Sequence, residues 1–116
     1  MNNDIIDLPE FLERVQDDKE LLLELLDIFE VDYEAKRKLL TQAIASKDYE
    51  QIRSIAHSLK GASGNISAKA LRPIFLILEE NGRSQDLSQA AQLLKDMDQQ
   101  YALFLERAGQ IKLELK

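Results

Sequence analysis

Apolar positions along this chain recur at steps of three and four and nowhere alternate for long, so the pattern predicts helices throughout. The clearest stripe runs through Leu22, Leu25, Leu26, Phe29, Tyr33, Leu40 and Ile44. It predicts a long helix from Lys19 to Ala45, about 40 Å at 1.5 Å per residue, the height of a bundle. A short helix before it, over Leu8 to Val15, has Asp7 as its cap and Pro9 in the first turn, where a missing N–H costs little. The Ser46-Lys47-Asp48 link is so short that it favours an antiparallel neighbour. A third helix opens on Asp48, with Gln51 three residues on in a capping-box pattern, and loosens at Gly64-Asn65. Ser67 is the expected cap of a fourth helix that stops at Asn81-Gly82; Pro73 either kinks that helix or marks a later start. The last helix is expected from near Asp86. Its apolar residues, from Leu87 through Ala90, Leu94, Met97, Tyr101, Phe104, Ala108 and Ile111 to Leu115, form a heptad stripe. Such a stripe serves the fourth wall of a bundle or, beyond Arg107, a seam for self-association. Gly109 weakens the second use, and a monomer is expected. Together these elements predict an all-α fold, an antiparallel four-helix bundle with a short additional N-terminal helix, forming one domain over residues 1–116.

Composition narrows the function classes. With 116 residues, 45% apolar and 31% charged, the chain can bury one core and keep a polar surface. The net charge of −6 argues against a nucleic-acid binder, which would show a basic face. No apolar run approaches the roughly 20 residues of a membrane span. The N-terminus is acidic and no apolar signal core follows it, so the expected location is the cytoplasm. There is no cysteine, hence no disulfide, thiolate metal site or cysteine nucleophile.

The one candidate for chemistry is the single histidine, His57, in Ala56-His57-Ser58-Leu59-Lys60-Gly61. At about 100° per residue, Glu50, Arg53, Ser54, Lys60, Gly61 and Gly64 fall on its side of the third helix. Ile52, Ile55, Leu59, Ala62, Ser63 and Ile66 fall on the other. The histidine is therefore expected to face outward, as an imidazole largely uncharged near neutral pH. One histidine without cysteines makes a poor zinc site, so no metal is expected. Nor does a helical bundle with one exposed histidine resemble a hydrolase triad. Lys60, one turn on, can meet a negative charge brought to the ring, and Arg53 adds a second cation. Two glycines on one helix face cost about 1 kcal/mol each relative to alanine. Gly61 reads as a place left open for close approach; Gly64 either does the same or ends the helix.

The run from Ala56 to Asn65 resembles the His-x-x-Lys-Gly motif of histidine-containing phosphotransfer (HPt) domains. Ala68, Leu71, Leu78-Glu79, Gly82-Arg83 and Asp86-Leu87 also look like that family, and the similarity covers nearly the whole chain. The resemblance implies that His57 is phosphorylated, that Lys60 supports the phosphoryl group, and that Gly61 admits the partner. The family often has a glycine ten residues after its histidine; here that position is Ser67. Pro73 is a second departure.

The function so implied is that of a phosphorelay intermediate. His57 takes a phosphoryl group from a receiver-domain aspartate and passes it to another, on a response regulator or hybrid histidine kinase. Transfer of this kind depends on positioning and charge balance. Mg²⁺ and the acceptor carboxylate would belong to the partner; no cofactor is expected on this chain, nor ATP binding, since it has no nucleotide loop. It would be a carrier rather than a kinase. Arg53, Ser54, Ser58, Gly61, Gly64, Asn65 and Ala68 are the expected docking residues, from their position around His57. The alternative from another class is a helical adaptor that binds through its bundle surface or C-terminal heptads.

Overall fold

A computed structural model describes residues 2–115. A 3-10 turn, Asn2–Asp4, precedes five helices: α1 Leu8–Arg14, α2 Lys19–Ala45, α3 Tyr49–Asn65, α4 Arg72–Ser84 and α5 Ala90–Glu114. No strand occurs among the described residues. Helices α2 to α5 form the all-α antiparallel bundle, 43 Å in its longest dimension and about as long as α2 itself. The pairing is read from side chains. Ser58 of α3 meets Lys36 of α2, Glu79 of α4 meets His57 and Lys60, and Asp98 of α5 meets Arg37 of α2. The short α1 lies across the end where α3 gives way to α4, held by the Asp7 N–H donating to the Ser67 carbonyl at 2.9 Å.

The first three helices start on aspartates. Asp7, Asp18 and Asp48 each accept a backbone N–H three residues on, from Glu10, Leu21 and Gln51. The ends of α1 to α4 share another device. Gln16, Lys47, Ser67 and Gln85 adopt left-handed backbone, with φ between 54° and 58°. The next N–H then reaches back over the last turn; Asp48 to Ala43 and Ala68 to Ser63 are both 2.9 Å. Glycine is the usual residue for that conformation, yet no glycine here has positive φ. All four are inside helices.

Four expected boundaries move. Ser67 does not cap a helix; it closes α3, and α4 begins only at Arg72, with Pro73 in its first turn. Asn81-Gly82 does not stop α4, which runs to Ser84 and closes on Gln85. The last helix starts at Ala90 rather than near Asp86, because Asp86 turns back to accept the Ser88 N–H at 3.0 Å. The short first helix ends at Arg14, with Val15 as its cap.

The core behaves as the periodicity requires. Leu22, Leu26, Phe29, Tyr33 and Leu40 are buried, with Leu25 and Ile44 half-buried beside them. Opposite, Ala90, Met97, Phe104, Ala108 and Ile111 of α5 are buried, so its stripe serves the bundle wall. Between them lies an aromatic cluster, Phe29, Tyr33, Phe75, Tyr101 and Phe104, in which Tyr33 and Tyr101 stack with centroids 3.8 Å apart.

Candidate functional site

Helix α3 buries Ile52, Ile55, Ala56 and Leu59 and turns His57 outward, 64% exposed. Beneath the ring lies a residue from a different helix. Glu79 of α4 is only 5% exposed, yet its carboxylate reaches two side chains of α3, His57 and Lys60. One oxygen is 2.6 Å from His57 Nδ1; the other accepts from Lys60 Nζ, also at 2.6 Å. The Lys60 hydrogen bond holds the Glu79 carboxyl below the usual carboxylate range; burial opposes this and the histidine contact reinforces it. The group is thus an anion. A carboxylate only accepts, so the nitrogen facing it must carry hydrogen. When the ring is neutral, that hydrogen sits on Nδ1 and the lone pair is left on Nε2.

The closeness of α3 and α4 has a local cause. A Cβ on Gly82 would lie 2.8 Å from the Arg53 backbone nitrogen, so only glycine lets the two backbones approach this far. That contact lies one turn beyond Glu79 on α4 and one turn before His57 on α3, and it sets the height of the carboxylate under the ring. Arg83 adds a further cation 3.9 Å from Glu79, although its closer partner is Glu80 at 2.7 Å.

The expected docking residues divide into three groups. A Cβ on Gly61 would meet nothing within 4 Å, and Ser54 and Asn65 are exposed. Arg53, Ser58 and Gly64 are half-buried and engaged: Arg53 with Glu50, Ser58 with Lys36 at 2.6 Å, and Gly64 under the Arg72 side chain. Ala68 is a correction. The turn that closes α3 folds it inward to 1% exposure, and it offers a partner no surface. On the outer face of α2 three apolar residues are open, Val31 at 73% exposure with Ile28 and Leu39.

Glu79 and Arg83 are functional candidates that the reading of α3 alone missed. A signal for Glu79 was present: it is an acid on the buried stripe of α4, four residues after Phe75 and three before Gly82. Among the described residues no cluster of three or more His, Cys, Asp or Glu could hold a metal ion, and no helix is long and apolar enough to cross a membrane.

A family model of the Hpt domain matches residues 24–110. The crystal structure of histidine-containing phosphotransfer protein B from Pseudomonas aeruginosa superposes with a TM-score of 0.84 at 27% identity, covering 93% of this chain and 95% of that one. No curated protein matches the sequence.

Proposed function

Because the chain belongs to the Hpt domain family and is therefore a phosphorelay carrier, we propose that His57 is the residue that carries the phosphoryl group. The observation that carries this reading is the buried Glu79 carboxylate on Nδ1, which leaves Nε2 as the outward nucleophile. Nε2 attacks the phosphorus of a receiver's aspartyl phosphate in line. The Nε2–P bond forms, the P–O bond to the aspartate breaks, and the carboxylate leaves as an anion. The Nδ1 hydrogen stays where it is, and the positive charge that phosphorylation places on the ring is offset by Glu79. Lys60 shifts part of its charge from Glu79 to the incoming phosphoryl oxygens. The reverse sequence delivers the group to a second aspartate.

The partners are receiver domains of a response regulator or hybrid histidine kinase. They bring the Mg²⁺ and the acceptor carboxylate, while this chain contributes the nucleophile and the charge around it and acts as carrier, not kinase. Gly61 leaves room for the aspartate-bearing loop. The expected location is the cytoplasm, and the expected state is a monomer.

The test is transfer from a phosphorylated receiver to the whole chain, followed by acid and base treatment. Label that survives base, is lost in acid and is absent from a folded His57→Gln variant is the expected result. Label retained by His57→Gln would sink the assignment.

A further inference from the structure

A second positive feature lies beyond the histidine, where α1, the end of α3 and the start of α4 meet. Here Arg14, Lys69 and Arg72 line a cavity of about 390 Å³ together with Ser63, Gly64 and Ser67, and no acidic side chain lines it. Two of these cations already have a partner. Glu10 takes Lys69 at 2.8 Å and Arg14 at 3.4 Å, and the Lys69 hydrogen bond is the main reason its carboxyl is held down to about 2. Arg72 has none: among the described residues no acid or carbonyl accepts from its guanidinium, whose stem lies over Gly64. On a chain with a net charge of −6, that leaves Arg72 as the unpaired cation at a cavity whose own lining holds no acid.

Position connects this cavity to the histidine. Gly64 lies seven residues after His57 on the same face of α3, about 10 Å along the axis. On α4 the positions running from the site to the cavity are Arg83, Glu79, Leu76 and Arg72, spaced three or four apart and so on one face. Leu76 is exposed. The strip between the two places is therefore Gly61, Gly64 and Leu76; of the acids beside it, Glu79 is buried and paired, and exposed Glu80 is held by Arg83. A globular domain of about 100 residues has a radius of gyration near 13 Å. A receiver seated with its aspartate at His57 is thus wide enough to lie over the cavity.

From this placement we infer that Arg72, with Lys69 and Arg14 behind it, is a docking subsite for an acidic side chain on the receiver domain, and that it helps decide which receiver binds. The inference rests on the phosphocarrier reading. It places attraction away from the reacting atoms, so it acts on encounter and affinity and not on the chemical step. Of the three cations, Arg72 is the one free to form a two-pronged bond with a carboxylate.

The experiment uses the whole chain and isolated receiver domains phosphorylated with labelled acetyl phosphate. Single-turnover transfer is followed over a range of receiver concentrations at low and high salt. For receivers that label the wild type, Arg72→Glu is expected to raise the half-saturating concentration about tenfold at low salt. It should leave the plateau rate within about twofold and flatten the salt dependence, whereas Arg72→Lys should restore most of the affinity. Lys95→Glu, on α5, makes the same change in net charge and is expected to have little effect. Glutamate is well placed in the first turn of a helix, so Arg72→Glu should fold, and a thermal melt checks it. Equal half-saturation and salt dependence for wild type and Arg72→Glu would overturn the subsite and leave the phosphocarrier reading intact. An equal loss in Lys95→Glu would reduce the effect to net charge and overturn it as well. If no receiver labels the wild type, both readings fall.

Discussion

The α3–α4 seam and the α2–α5 seam are built on opposite plans. Between α3 and α4 a glycine brings the backbones together, and a carboxylate stands at the edge of the contact where it reaches two side chains of the neighbouring helix. Between α2 and α5 the spacing is set by large rings, Phe29 and Tyr33 against Tyr101 and Phe104, with ion pairs outside them: Arg37 to Asp98 at 2.9 Å, and Lys112 to Asp27 and Glu30 at 2.8 Å. Apolar area and packing dominate the aromatic seam, so its contribution is chiefly to stability. The glycine seam fixes an interatomic distance. One bundle thus separates what holds it together from what tunes the proposed nucleophile.

That separation can be broken from either side. The largest effect is expected from Phe104→Ala. Emptying a fully buried ring site should cost about 3–5 kcal/mol of unfolding free energy. Transfer measured well below the lowered melting temperature should stay within about twofold of wild type. A large drop in transfer at that temperature would show that the two seams are coupled. Gly82→Ala is next. The added methyl meets the Arg53 backbone and must push α4 away, at about 1–3 kcal/mol. It also lifts Glu79 from His57, so stability and transfer rate should fall together in denaturant titration and single-turnover assays.

Glu79→Gln sharpens the comparison without changing volume. It replaces a charge-assisted bond by a neutral one, a loss of about 1.5 kcal/mol, or roughly tenfold in transfer. Nitrogen-15 shifts of the His57 ring should show the fixed Nδ1–H tautomer relax toward a mixture. An unaltered tautomer would remove Glu79 from the site. The depressed carboxyl adds a pH dependence. Because its pKa is lower in the folded chain, the stability from this triad is complete above the ordinary glutamate pKa and drains away as pH falls through the folded value. The smallest effect is expected at Gln85. Its left-handed backbone at φ 58° suits glycine, so Gln85→Gly should raise stability by about 0.5–1 kcal/mol with transfer unchanged.

Much of this was legible in the sequence, and the reasons differ by element. The bounds of α2 and the starts of α1 and α3 follow from local chemistry, a side-chain oxygen three residues before the N–H it accepts. The outward aim of His57 follows from periodicity along one helix. What failed depended on neighbours. Gly82 has the composition of a helix stop, but its reason for being glycine is the Arg53 backbone on another helix. Ser67 looks like a cap because its side chain could serve as one. In the fold its hydroxyl donates instead to Glu10 of α1, at 2.8 Å. Ala68 reads as surface from its position around His57, but the closing turn buries it. Glu79 lies 22 residues from its histidine partner, beyond the reach of any pattern on α3.

The proposed nucleophile and the group that aims it therefore enter the chain on separate helices. A peptide of residues 49–65 contains the whole His-x-x-Lys-Gly motif, yet its imidazole would exchange its hydrogen freely between the two nitrogens. The aim of the lone pair is a property of tertiary structure, and it vanishes with it. A nascent or unfolded chain, with the motif exposed to every receiver in reach, is for the same reason expected to be a poor acceptor: under the proposed roles, reactivity arrives only when α4 docks.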